Sequence, residues 1–245
     1  MLTFEVLKKS SKEFHPRSGS TEFFFLTDSL DTFKSDFVAQ VKLKGEDITV
    51  FDLYFRLRRE SQTLGANSFR IVNKAKGGDS YYLLCNIYLT DTALLNKEKR
   101  NDPDNGKIFI ISPEPVKYLN KDPVSINDKL KFDLISGTHY TIFKKGSKDS
   151  LVHIKSKKSE ATFRINDPEV KYYTTRYFTT FSVANFSNNT PDIDDSVKSI
   201  KATIPLNTEI RNRYKATLKN KDGSVEAAFG KMLLLFSKAV DIKQN

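Results

Sequence analysis

The sequence is poor in the residue types that most often build catalytic or metal centres. Its 245 residues include no tryptophan, one cysteine, two methionines and three histidines. A single cysteine excludes an internal disulfide and any cysteine-rich metal site. No run approaches the roughly 18 consecutive apolar residues of a membrane-spanning helix, so a transmembrane segment is not expected.

The first residues also lack the features of a secretion signal. The segment MLTFEVLKKSSKEFH has no apolar core of the kind that signal peptides carry. We therefore expect a cytoplasmic protein if Met1 is the natural start, and a cell-envelope protein if a leader was removed before Met1.

The composition that remains is typical of a folded protein rich in extended structure. Hydrophobic residues make up 38% of the chain, which is enough apolar surface to offset chain entropy. The aromatic residues are all Phe and Tyr, and these rings pack well on a pleated sheet. A net charge of +10 would attract nucleic acid, an anionic membrane or an acidic protein. Because the lysines are spread along most of the chain, solubility is the alternative explanation for them.

One helix is predicted from both of its ends. Thr49 and Asp52 form a variant of the capping box, in which a hydroxyl and a carboxylate satisfy free amides at a helix start. Gly65 follows Leu64, where a left-handed residue would close the helix. Apolar residues recur on one side at helical spacing, so we predict a helix over Val50–Leu64.

Period-two alternation predicts strands around this helix and in the second half of the chain. Ser80–Leu89 is apolar on both faces, which indicates a central strand with Cys85 buried and inert. Lys74–Asp79 is predicted as a hairpin loop. The other predicted strands are Thr3–Leu7, Glu22–Leu26, Asp36–Lys44, Ser68–Asn73, Lys107–Ser112, Lys129–Ile135, Thr138–Phe143, Leu151–Ile154, Ala161–Ile165, Tyr172–Phe186 and Val197–Ile204.

The polar stretch Asn96–Gly106 is predicted to be a linker between two domains. Residues 1–100 would form a β-α-β-β domain. Residues 101–245 would form a mainly antiparallel β domain with a C-terminal helix, Ser224–Val240, buried on more than one side. The predicted fold class is therefore α+β and strand-rich.

No catalytic constellation can be recognised in the sequence. His15, His139 and His153 do not stand at metal-ligand spacing, and we favour structural or exposed roles for them, although His139 and His153 lie on neighbouring predicted strands. The acidic run of Asp192, Asp194 and Asp195 lacks the spacing of a calcium loop. We therefore predict a protein that is not an enzyme, without a cofactor or metal site.

Two basic runs are candidates for nucleic-acid binding. Lysines in such a run can contact phosphates, and neighbouring aromatic rings can stack on bases. The first run contains Lys144, Lys145, Lys148, Lys155, Lys157 and Lys158. The second run contains Arg211, Arg213, Lys215, Lys219 and Lys221.

The segment Thr49–Leu89 resembles the LGANA-type α+β element of YbjQ-like and uncharacterised bacterial envelope proteins. The matching residues are Leu64, Gly65, Ala66, Asn67 and Ser68, followed by the core residues Phe69 and Ile71. We expect Gly65 and Asn67 to adopt left-handed dihedrals in a helix-to-strand turn. The resemblance implies a fold element and a bacterial origin, and it transfers no functional residue.

The sequence therefore supports two hypotheses about function. The first is a non-enzymatic bacterial binding or scaffold module, with the cell envelope as one location and with a protein partner or self-association as its mode of action. The second is a nucleic-acid-binding accessory protein of phage or plasmid origin that uses residues 144–158 and 211–221.

Overall fold

The computed structural model describes residues 2–17, 23–27, 34–78, 80–114, 121–142, 151–157, 159–164, 169–175 and 224–240, the side chain of Glu98 excepted. Three β-sheets and three helices make up this part of the chain. The predicted strand-rich α+β class is confirmed.

The elements follow one another in chain order. The helices are α1 (Val50–Thr63), α2 (Thr92–Arg100) and α3 (Ala227–Leu235). The strands are β1 (Thr3–Lys9), β2 (Phe24–Phe25), β3 (Asp36–Glu46), β4 (Ser68–Gly77), β5 (Ser80–Leu89), β6 (Ile108–Ser112), β7 (Lys121–Ile126), β8 (Leu130–Ile135), β9 (Thr138–Ile142), β10 (Leu151–Ser156), β11 (Glu160–Arg164), β12 (Lys171–Thr174) and β13 (Lys238–Ala239).

The first sheet has five strands in the order β1-β3-β5-β4-β2. Neighbouring strands are antiparallel except β2 and β4, which run parallel. The β-α-β-β prediction is confirmed as β3-α1-β4-β5. β5 has its predicted bounds and lies at the centre of the sheet. Its Cys85 is fully buried, and burial raises the pKa of the thiol.

Helix α1 begins at the predicted residue and ends at Thr63, one residue before the predicted end. The Thr49 hydroxyl accepts a hydrogen bond from the Asp52 amide, and the Asp52 carboxylate accepts one from the Thr49 amide. Leu64 is the C-terminal cap, and Gly65 follows with φ of +92°. A Cβ atom on Gly65 would lie 2.6 Å from Cβ of Phe14. Glycine is therefore required at this position for two reasons. The backbone has a left-handed dihedral, and Phe14 of the N-terminal segment lies too close to leave room for a side chain.

The second half of the described chain forms two four-stranded sheets. The second sheet has the order β12-β6-β9-β13, and the third sheet has the order β11-β10-β7-β8. All pairs of the third sheet are antiparallel. In the second sheet β6 and β9 are antiparallel. The other two pairs, β12 with β6 and β13 with β9, are parallel. The predicted mainly antiparallel character is confirmed, with these two parallel pairs added.

Helix α3 crosses the second sheet from one edge to the other. Ser224 forms a bridge to Tyr173 in β12, and after the helix Lys238 and Ala239 pair with β9 as β13. The helix itself is shorter than the predicted Ser224–Val240, because its N-cap is Glu226 and its last residues leave to join the sheet. The predicted burial on more than one side is confirmed, since Phe229 contacts the rings of Phe51 and Tyr54 in α1 while Gly230 faces Tyr172 in β12.

Two further expectations are wrong in detail, and one strand was missed. The predicted linker Asn96–Gly106 begins inside helix α2, whose Leu95 is buried against Leu26 and Tyr88. The predicted loop Lys74–Asp79 continues strand β4 as far as Gly77. Strand β7 was not predicted. The predicted strand Val197–Ile204 and the end of Tyr172–Phe186 lie outside the described residues.

The largest hydrophobic cluster joins α1 and the first sheet to the second sheet and α3. Leu53 and Leu57 of α1 and Phe69 of β4 belong to it, together with Phe109 of β6 and Phe229 of α3. The division into domains at residue 100 stays a prediction. Within the described ranges, no helix has both the length and the apolar character needed to cross a membrane.

Candidate binding pocket

A cavity of about 280 Å³ opens where β2, α2, β12 and the start of α3 meet. We call it the junction pocket. Its size lies just below the range of roughly 300–1,000 Å³ that is common for small-molecule sites. Its lining residues are Phe23, Phe24, Phe25, Thr27, Leu95, Lys99, Asp102, Tyr172, Glu226, Ala227, Ala228 and Lys231.

One wall of the pocket is aromatic and rests on the first sheet. The ring of Phe23 stacks on the ring of Phe69 with 5.0 Å between centroids, and Phe25 meets Phe69 edge-on at 5.4 Å. Phe69 is fully buried in the sheet and so holds both rings in place. Phe24 and Phe25 are only half-buried. Apolar surface therefore remains available on this wall.

The opposite wall is formed by Tyr172 and by the first turn of α3. Tyr172 is almost fully buried and stacks on Phe109 with 5.6 Å between ring centroids. Burial raises the pKa of Tyr172, and the nearby carboxylates of Asp102 and Asp104 raise it further. The phenol is therefore neutral at physiological pH.

Glu226 is held in place by two residues of α1. Nη1 of Arg58 lies 3.0 Å from each carboxylate oxygen of Glu226, and the Tyr54 hydroxyl donates a hydrogen bond to the same carboxylate. Burial raises the pKa of Tyr54, and the charge of Glu226 raises it further, so the phenol keeps its proton. These contacts neutralise Glu226 and attach the start of α3 to α1.

Lys231 is neutralised by the segment that follows α2. Its Nζ bonds to the carboxylate of Asp104 and lies 3.7 Å from that of Asp102. Lys107 contacts the Asp104 carboxylate at 2.7 Å. Burial alone would raise the pKa of Asp104, but the hydrogen bonds from Lys107 and Lys231 outweigh burial and lower it. This ion cluster fixes the segment against α3.

Lys99 differs from the other charged residues of the pocket. Its Nζ lies over the ring of Phe24, 5.1 Å from the centroid. In the part of the chain that the structure describes, no carboxylate lies within ion-pairing distance of Lys99. The pocket thus offers apolar and aromatic surface together with one cation that is not neutralised by these residues.

The chemistry of this arrangement is suited to binding. Both carboxylates of the lining, Asp102 and Glu226, already accept hydrogen bonds or ion pairs. Across the described residues, no three His, Cys, Asp or Glu side chains are grouped in a way that could hold a metal ion.

The residues predicted to bind nucleic acid are only partly described. Lys155 and Lys157 are exposed at the end of β10, and together with Lys131 they line a shallow groove on the third sheet. A carboxylate oxygen of Glu160 lies 3.8 Å from Nζ of Lys155 and partly offsets the charge of this lysine. The remaining candidates lie outside the described residues: Lys144, Lys145, Lys148, Lys158, Arg211, Arg213, Lys215, Lys219 and Lys221.

The histidines do not form a common site. His139 is in the second sheet and His153 is in the third, so the expectation that they lie on neighbouring strands is wrong. His139 Nδ1 is 2.8 Å from the Ser237 hydroxyl, and burial lowers its pKa. His153 Nε2 lies 3.0 Å from Glu160. His139 and His153 therefore each have a local structural partner.

The LGANS residues serve the fold in a different way from the one predicted. Gly65 has the expected left-handed dihedral, but Asn67 does not. The Asn67 side chain instead donates from Nδ2 to the Thr90 carbonyl, and its Oδ1 accepts from the Thr90 backbone N–H, both at 2.8 Å. Ser68 adds a hydroxyl contact to Thr90 at 2.7 Å. The motif therefore clamps the end of β5 to the turn after α1.

The junction pocket was not found by sequence reasoning, because its lining residues are spread from Phe23 to Lys231. One signal was present. Phe23, Phe24 and Phe25 are consecutive, and a strand buries only alternate side chains on one face. A run of three aromatic residues therefore cannot be buried on one face alone. Here all three rings line the pocket, and those of Phe24 and Phe25 stay half-buried.

Comparison with known proteins gives little similarity. No family model matches the sequence, and no curated protein matches it significantly. Among solved structures, the crystal structure of a Francisella virulence factor, FvfA, in the orthorhombic form is similar to part of the chain. The similarity covers 37% of this chain and 100% of that chain, with 14% sequence identity and a TM-score of 0.29.

Proposed function

We propose that this protein is a non-enzymatic binding module that takes a small, largely apolar ligand into the junction pocket. The observation that carries the proposal is the aromatic wall of the pocket, where Phe24 and Phe25 are only half-buried. Together with the resemblance of Thr49–Leu89, the proposal extends to a bacterial protein, with the cell envelope as one location.

The neutralised charges of the pocket support a ligand that buries apolar surface. A ligand that covers a charged group without replacing its partners would suffer a desolvation cost. Glu226 and Lys231 keep their partners Arg58 and Asp104 within the protein. A ligand can therefore cover these groups without leaving a charge unpaired.

The rigidity of the walls also favours binding. Phe23 and Tyr172 are fixed by stacking on Phe69 and Phe109. A site whose walls are already ordered loses little conformational freedom when a ligand enters.

The proposal is tested with two small aromatic probes, 3-phenylpropionate and its neutral amide, by ligand-observed NMR. We expect at least one probe to bind the wild-type protein. Ala227→Trp should abolish binding, because Ala227 lines the pocket but is itself exposed. Ala75→Trp, at an exposed position of β4 outside the pocket, is the matched control and should bind as the wild type does. Failure of both probes to bind, or equal binding by Ala227→Trp, would refute the proposal.

A second candidate function rests on the groove of the third sheet. Lys131, Lys155 and Lys157 line it together with Phe132, which combines cations with an aromatic ring as single-stranded nucleic acid requires. Charge reversal of these lysines should weaken binding to a labelled 20-nucleotide strand. The slope of log affinity against log salt should flatten by roughly 0.7 per lost phosphate contact. If the unmodified protein does not bind the strand at about 50 mM salt, this function is rejected.

A further inference from the structure

We infer that the ligand of the junction pocket carries a carboxylate on a small aromatic or apolar body, and that Lys99 pairs with this carboxylate. The inference rests on the proposed function and names the class of ligand for the same pocket.

Among the described residues, the charges around the pocket do not cancel. Arg58 pairs with Glu226, Lys107 pairs with Asp104, and Lys231 contacts both Asp104 and Asp102. With Lys99 added, four described cations face three described carboxylates. Within this set Lys99 is the cation without an acidic partner, since the other three are engaged.

The position of Lys99 couples charge recognition to the aromatic wall. Its Nζ lies over the half-buried ring of Phe24 at 5.1 Å from the centroid. A carboxylate that binds this ammonium would therefore stand at the edge of the pocket. The apolar body attached to it would then contact Phe24 and the rings behind it.

A cationic ligand does not fit the same charges. It would need a carboxylate, and the two that the described residues place in the lining are occupied: Glu226 accepts from Arg58 and Tyr54, and Asp102 is engaged with Lys231. It would also be repelled by Lys99. A phosphate dianion is recognised best by the fork of an arginine or by several donors, whereas a single lysine at the rim suits a monoanion.

The inference is tested by isothermal titration of the acid and amide probes. We expect wild-type protein to bind 3-phenylpropionate up to about fivefold more tightly than 3-phenylpropionamide, which is what an ion pair with an exposed lysine provides. Lys99→Gln should remove this preference and leave the affinity for the amide unchanged. Lys97→Gln, an exposed lysine on the same helix that does not line the pocket, should keep the preference.

The outcomes separate the inference from the proposed function. Equal affinity of the wild type for acid and amide overturns the inference while the pocket still binds ligands. A preference that survives in Lys99→Gln, with an unchanged melting temperature, overturns the role of Lys99. If neither probe binds the wild-type protein, the proposed function fails and the inference fails with it.

Discussion

At the scale of single residues, Gly230 sets how closely α3 approaches the second sheet. A Cβ atom at this position would lie 2.6 Å from Cβ of Tyr172 and closer still to two carbons of its ring. The helix therefore packs its backbone directly on an aromatic side chain. The same contact shapes the junction pocket, because Tyr172 forms one of its walls.

Gly230→Ala should lower the free energy of unfolding even though alanine favours helices. In an exposed helix interior the substitution would stabilise by about 1 kcal/mol. Here we expect a net loss of about 1–3 kcal/mol, the usual cost of overpacking, measured by urea denaturation. Gly77→Ala is the control, because no atom lies within 4 Å of a Cβ there. A Gly230→Ala variant more stable than the wild type would contradict the close packing of α3.

Asn67 shows what sequence reasoning misses at this scale. The residue type predicted a turn residue with a left-handed dihedral, but the Asn67 side chain instead makes two hydrogen bonds to the Thr90 backbone. Turn preference is a local property and can be deduced from neighbours. A partner 23 residues away is specified only once the strands are paired.

At the scale of elements, α1 was predictable because both of its ends are encoded locally. The capping box of Thr49 and Asp52 and the left-handed Gly65 need no tertiary information. Strand β7 was missed because Pro123 lies within it, and proline argues against a strand inside a sheet. Pro123 fits into β7 because the pairing with β10 ends at Val124. Strand β10 therefore needs no backbone N–H from residue 123.

Helix α1 contributes several fully buried side chains to the largest hydrophobic cluster. Leu57 is fully buried in the largest cluster. Leu57→Ala should therefore cost about 2–5 kcal/mol of unfolding free energy, measured by denaturant titration. Leu151→Ala makes the same chemical change at a side chain that is 56% exposed, and should stay within about 0.5 kcal/mol. Equal losses in the two variants would show that α1 is not packed as described.

The ion cluster between α3 and the segment after α2 should give stability that depends on pH. The pKa of Asp104 is lowered in the folded protein, so its ionised form stabilises the fold fully above the unfolded pKa of about 3.9. This contribution is lost as the pH falls through the folded pKa. The loss of stability caused by Asp104→Asn should therefore be constant near neutral pH and should shrink below about pH 4. A loss that stays constant down to pH 3 in urea titrations would contradict the cluster.

At the scale of the whole molecule, α3 joins parts of the chain that are remote in sequence. Its start is bound by Arg58, its centre by Phe51 and its last turn by Lys74, which donates to the Leu235 carbonyl. The broad apolar pattern of Ser224–Val240 predicted burial on several sides. It did not reveal which elements cover the helix, because an apolar stripe does not specify its partner.

Removal of the residues from Ser224 onward should therefore damage the fold as a whole. We expect the truncated protein to aggregate or to melt far below the wild type, since the cluster around Phe51 and Tyr54 would be open to water. Calorimetry and size-exclusion chromatography measure the two effects. A truncated protein that stays monomeric with an unchanged melting temperature would show that α3 serves a partner instead of the fold.

The pairing of Arg58 with Glu226 also has a consequence for synthesis of the protein. The two residues are 168 positions apart, and ribosomes add about 5–20 residues per second. The aromatic face of α1 must therefore wait roughly 8–34 seconds before α3 leaves the ribosome to cover it. During that interval the nascent chain carries exposed apolar surface, and we expect it to depend on chaperones for a longer time than a protein whose contacts are local.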